Sequence, residues 1–138
     1  MDASFALDPR LAEGSLPVAD WPLCHVRLKD DRRFPWLLLV PRRPGLVEIT
    51  DLDPADSRAL CEETLRATRL LVGLERPDKT NVATIGNVVA QLHVHVIGRW
   101  RSDPLWPDPV WGRGTAEPWD AAGLEARVAR YRGAAGGS

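Results

Sequence analysis

A chain of 138 residues has the length of one domain, and its 44% hydrophobic and 27% charged composition can build a core without disulfides or structural metals. Eighteen basic residues against 19 acidic ones give a net charge of −1, which excludes the basic excess of a general nucleic-acid binder. The longest apolar run, 36–41, is far short of the roughly 20 residues that span a bilayer, and no leader pattern opens the chain. A cytoplasmic protein is expected, with no membrane or nucleic-acid partner.

The first twenty residues mix scattered apolar side chains (Phe5, Leu7, Leu11) with turn formers (Pro9, Gly14, Pro17), so a short helix or strand is expected only over 5–12. Residues 23–28 alternate loosely and read as a strand, with His25 an ordinary member of it. A polar turn, 30–33, leads to 36–40, a continuous apolar run that reads as a buried strand. The two strands should form an antiparallel hairpin. Arg42 and Arg43 read as a solvated turn rather than a phosphate clamp. Asp53 as N-cap and Pro54 at the first helical position start a helix expected over 54–73. A strand over 80–85, a turn at Gly86-Asn87 and a strand over 90–99 follow.

From 101 to 118 the chain is rich in Pro, Trp and Gly and cannot be regular. Trp100, Trp106 and Trp111 read as a rigid structural strap in preference to a pocket wall. Asp120 caps a final helix over 121–132, and the tail, 133–138, is expected to fray. Cys24 and Cys61 form no CxxC pair and read as buried free thiols, Cys61 inside the helix core. Strand pair, helix, strand pair, helix is an α+β arrangement.

Chemistry concentrates in Gln91-Leu92-His93-Val94-His95-Val96-Ile97, which holds two of the three histidines. On a strand, Gln91, His93 and His95 share one face, and Leu92, Val94 and Val96 the other. Spacing alone favours a half-exposed edge strand with two solvated histidines. A His-x-His metal pair and imidazole catalysis stand about equal behind it. His25 is distant in sequence and no further His or Cys pair completes a tetrahedral metal set.

The surrounding residues change that order. Asn81 and the block 86–99 resemble the signature of the histidine-triad (HIT) family, in which a Gly-containing turn leads into a strand reading His-φ-His-φ-His-φ-φ, φ being apolar. Residues 24–41 resemble the family's hairpin, and Asp51-Leu52-Asp53 its helix entry. The likeness runs from about 5 to 111. It implies an α+β, HIT-like fold: an antiparallel sheet with one long and one C-terminal helix, one domain over 1–138. His93 matches the central histidine, the nucleophile toward an α-phosphorus. His95 matches the third, which orients and stabilises the phosphate. Asn87 matches a polar phosphate contact, and Asn81 the asparagine of the preceding strand. Val88 stands where many members carry a phosphate-contacting serine.

Two positions depart from the pattern. Gln91 occupies the first triad position, and its amide cannot become cationic, so proton delivery to a leaving group should limit the rate. Lys29 falls where the family often has a ribose-binding acid, with Asp30 one residue on.

The resemblance implies hydrolysis or nucleotidyl transfer at the α-phosphate of nucleoside phosphoramidates or (di)nucleoside polyphosphates. It implies a nucleotidyl-histidine intermediate, no cofactor or metal, a purine nucleotide or dinucleotide substrate, and a homodimer. The other ring nitrogen of His93 should then donate to a carbonyl or carboxylate. The alternative is a catalytically weak nucleotide-sensing module. A third class, a plain interaction module, would bury the Gln91/His93/His95 face against a partner.

Overall fold

The computed structural model describes residues 4–136. Its elements are α1 (Pro9–Ala12), β1 (Ser15–Asp20), β2 (Cys24–Lys29), β3 (Trp36–Pro41), α2 (Pro54–Glu75), β4 (Lys79–Ala83), β5 (Val94–Arg99) and α3 (Ala121–Ala135), with a 3-10 turn at Ile49–Asp51. The strands form one antiparallel sheet in the order β1-β2-β3-β5-β4. This is the α+β sheet-and-two-helix plan expected from the sequence.

The hairpin of β2 and β3 forms with Val26 opposite Leu39. Every residue of β3 is buried because both faces of the sheet are covered there, which is why its apolar run is unbroken. On one face α2 and α3 cover Val26, Leu28, Leu37, Leu39 and Val96. The other face carries a smaller cluster of Phe34, Trp36, Leu38, Ile97 and Val110.

Local chemistry explains the helix ends. Asp53 accepts from the Asp56 amide, Pro54 sits in the first turn, and α2 runs to Glu75, two residues beyond Gly73, where Arg76 caps it in the left-handed region with φ 53°. Asp120 accepts from the Gly123 amide and starts α3. That helix continues to Ala135, whose carbonyl accepts from Arg66, so residues 133–135 do not fray; 137–138 lie outside the described residues. Gly98 is demanded by packing, since a Cβ there would meet Pro35 at 2.8 Å and Leu71 at 2.9 Å.

Several expectations are corrected. The stretch read as turns contains β1, an edge strand with an irregularity between Pro17 and Ala19. An edge tolerates a proline because one row of its amides faces no partner. Strand β5 begins at Val94, four residues after the expected start at 90. Cys61 is exposed, because the buried stripe of α2 is Leu60, Glu63, Ala67 and Leu71. Cys24 is buried, and burial with the neighbouring Glu63 carboxylate pushes its thiol pKa up. Arg42 and Arg43 are no solvated turn: Arg42 donates to the carbonyls of Trp21 and Cys24, and Arg43 forks onto Asp56 at 2.9 and 3.1 Å. No helix among the described residues is long and apolar enough to cross a membrane.

Candidate functional site

His93 lies one residue before β5 and His95 one residue inside it, both buried, their ring centroids 4.9 Å apart. Their partners assign the ring protons. His93 Nδ1 is 2.7 Å from the main-chain carbonyl oxygen of Gln91. A carbonyl only accepts, so Nδ1 carries the hydrogen and Nε2 of the neutral ring keeps its lone pair. His95 Nδ1 is 3.0 Å from the indole nitrogen of Trp36. An indole only donates, so Nδ1 holds the lone pair and Nε2 carries the hydrogen. In its neutral form His93 therefore offers a lone pair at Nε2, whereas His95 offers an N–H.

Burial, followed by the nearby charges of His93 and Lys29, pushes the His95 pKa down to about 3. Its ring is neutral throughout the physiological range, as the Trp36 hydrogen bond requires.

A cavity of about 330 Å³ opens in front of the two rings, between the loop carrying Gly86, Asn87 and Val88 and a wall of Trp111 and Gly112. Gly86 takes φ 70°, a left-handed turn that glycine adopts without strain. Trp111 packs edge-on to His95 with centroids 5.3 Å apart and to Trp36 at 6.2 Å. For Trp111 the pocket-wall reading holds as well as the strap reading.

The strap, 100–118, is held by charge. Arg99 is almost fully buried and donates to Asp103 at 2.8 and 2.9 Å, to the Asp108 carbonyl at 2.8 Å and to Asn81 at 3.0 Å. At the far end Asp30 accepts from the Trp119 amide, and the Glu117 carbonyl accepts from the Arg32 amide.

The structure gathers His93, His95 and Asn87 around one cavity. It separates Asn81, whose side chain is engaged by Arg99 and does not line that cavity. It also separates the amide of Gln91 from the imidazoles. Gln91 precedes β5, so the expected one-face alternation does not include it. Its Oε1 accepts from the Asp8 amide at 2.8 Å and its Nε2 donates to the Ala6 carbonyl at 2.8 Å. Gln91 thus tethers the N-terminal segment with its side chain and orients His93 with its main chain. Among the described residues no group of three or more His, Cys, Asp or Glu converges as metal ligands would.

Sequence reasoning did not single out Trp36. Leu38 lies opposite His95 in the β3–β5 ladder, so Trp36, two residues before Leu38, shares that face. The parity was present, but the β3–β5 pairing that gives it meaning is a long-range contact.

Comparison with known proteins identifies the family. Residues 15–102 match the HIT domain family. A histidine triad (HIT) protein from Sinorhizobium meliloti 1021 is 44% identical over 93% of this chain and 95% of that one, with a TM-score of 0.89. A histidine triad protein from Bradyrhizobium japonicum is 41% identical over 96% and 98%, with a TM-score of 0.91. One from Marinobacter aquaeolei VT8 is 36% identical over 94% and 95%, with a TM-score of 0.90. No curated protein matches the chain. The chain belongs to the histidine triad family.

Proposed function

We propose that this protein is a nucleotide hydrolase or nucleotidyl transferase acting at the α-phosphate of nucleoside phosphoramidates or (di)nucleoside polyphosphates. The observation that carries the reading is the pair of ring contacts at the cavity: the Gln91 carbonyl holds a hydrogen on His93 Nδ1, so its neutral form turns a lone pair at Nε2 to the cavity, and the Trp36 indole leaves His95 Nε2 as a donor. His93 Nε2 attacks the α-phosphorus, and the bond to the leaving group breaks with its electron pair. Water then cleaves the phosphorus–nitrogen bond, releasing nucleoside monophosphate and regenerating the imidazole. His95 Nε2–H donates to a phosphate oxygen as charge develops there, and Asn87 supplies a further polar contact at the rim.

A second reading rests on Gln91. Its amide is committed to the N-terminal segment, so the first triad position offers no acid to the leaving group. That observation favours slow turnover of basic leaving groups and, at the limit, a nucleotide-sensing module. Incubation with an α-labelled substrate at neutral pH tests both. Nucleotidyl transfer requires an acid-labile label lost in His93→Ala, whereas the sensing reading requires nucleotide binding without label.

The homodimer seam is proposed on one apolar face. Ile49, Leu65, Val82 and Ile85 are exposed apolar residues, and the first three line an apolar groove of about 500 Å³ between α2 and the edge strand β4. A second copy covering this face is the dimer proposed, with the cytoplasm as its proposed location. Sedimentation of Val82→Glu against the parent checks it: the parent sediments as a dimer and the variant as a monomer.

A further inference from the structure

A second cavity lies beyond the Trp111–Gly112 wall. It measures about 240 Å³ and shares His95, Trp111 and Gly112 with the first. Its charged lining is Lys29, Asp31, Arg33 and Arg113.

These four charges do not cancel. Asp31 and Arg33 neutralise each other at 2.8 Å with little exposure of either side chain, and Asp31 also accepts from the amides of Arg33 and Glu117. Arg113 sits 3.3 Å from Asp108, but both are about half exposed, so water and salt compete with that pair. Lys29 has no counterion: among the described residues no carboxylate and no hydrogen-bond acceptor contacts its ammonium. Nζ instead sits 4.2 Å from the centroid of the Trp36 ring, the ring that donates to His95. Burial is the largest influence on half-buried Lys29 and pulls its pKa down; the charge of Asp31 opposes that shift and the charge of Arg33 adds to it. The indole N–H of Trp111, in the shared wall, is also buried without an acceptor.

We infer that this second cavity is an anion subsite, and that the substrate carries a second phosphate group beside the one His93 attacks. Lys29 is its principal ligand and Arg113 its adjustable one. The subsite adjoins the reacting position because both cavities share His95. The inference rests on the nucleotidyl-transfer reading for the identity of the first phosphate, and it adds the second. That group can be linked through the reacting phosphate or carried on the sugar, and the same cation would hold either.

Titration calorimetry with three ligands decides between them: a nucleoside 5′-monophosphate, the 5′-diphosphate and the 3′,5′-bisphosphate of the same base. At least one doubly phosphorylated ligand should bind the parent about tenfold or more tighter than the monophosphate, the effect of one charge-assisted contact to a partly buried cation. Preference for the diphosphate places the second group on the phosphate chain, and preference for the bisphosphate places it on the sugar. Lys29→Met should bring the ratio close to one while monophosphate affinity stays within about twofold. Lys29→Arg, which keeps the charge, should retain most of the preference, and it guards against misreading a folding defect in Lys29→Met. Equal binding of all three ligands by the parent, or a preference that survives Lys29→Met, overturns the subsite. Labelling of His93 separates this inference from the reading beneath it. Labelled His93 with no ligand preference defeats the subsite alone. A Lys29-dependent preference without labelling defeats nucleotidyl transfer alone.

Discussion

The two faces of the sheet are built by different physics. The face under α2 and α3 is an apolar core of leucines, valines, Trp21 and Tyr131. Its polar staples are few, such as Glu63 accepting from the amides of Leu23 and Cys24, and Glu75 accepting from Tyr131 and Arg127. The opposite face has a small apolar cluster and is closed by buried charge: Arg99 with Asp103, and Asp31 with Arg33. Apolar burial is non-directional and yields stability, whereas hydrogen-bonded ions fix orientation. The histidines sit on the second kind of face, where ring direction and protonation matter.

That contrast can be broken most sharply at the nucleophile. His93→Ala should reduce turnover of every substrate by about 10⁴-fold or more, while nucleotide affinity changes only a few-fold. Single-turnover kinetics with calorimetry measures both; a variant that remains active with any substrate removes His93 from the mechanism.

A matched pair of core substitutions sharpens it. Leu71→Ala, on the helix face, should cost about 2–5 kcal/mol of stability through the cavity left, with kcat within about twofold. Arg99→Met, under the strap, should cost about 3–5 kcal/mol because Asp103 is left as an uncompensated buried charge. In contrast to Leu71→Ala it should also lower kcat, since Trp111 loses the anchor of its segment. Denaturant unfolding and steady-state rates on the same samples test the split; equal kcat in the two variants would mean that the strap does not position the site.

Gln91→His comes next in size. It should raise turnover more for basic leaving groups than for those that leave unprotonated, such as a p-nitrophenolate, and cost about 1–2 kcal/mol as the tether to Ala6 and Asp8 is weakened. A leaving-group series checks it. Uniform acceleration across the series contradicts a missing acid at this position.

The smallest effect is on pH stability. His95 is neutral when folded down to about pH 3, but titrates near its ordinary value, 6.5, when unfolded. Between those values the unfolded chain binds more protons, so the His95 contribution is full above about 6.5 and is lost as pH falls toward about 3. His95→Gln should flatten the fall in Tm between pH 7 and pH 4 relative to the parent. An unchanged slope would place a charged His95 in the folded state.

Much of the architecture was legible because it rests on local chemistry. The apolar run of β3, the Asp53-Pro54 entry to α2 and the Asp120 cap of α3 each specify an element within a few residues. β1 was not, because Pro17 looks like a turn former until an edge position makes it acceptable. Cys61 was misplaced since one step along a helix rotates a side chain about 100° off the buried stripe.

By itself the sequence determined β2, β3, α2 and α3 and singled out His93 and His95, through periodicity, capping residues and the spacing of side chains within one segment. Only the tertiary structure decided how those histidines are protonated, where the Gln91 amide goes, and that Lys29 reaches a cavity beside His95 without a counterion. Those outcomes depend on Trp36, Ala6, Asp8 and Trp111, residues brought to the site by pairing and strap contacts across long stretches of chain. A hydrogen bond's direction is set by the partner it finds, and no local pattern names that partner.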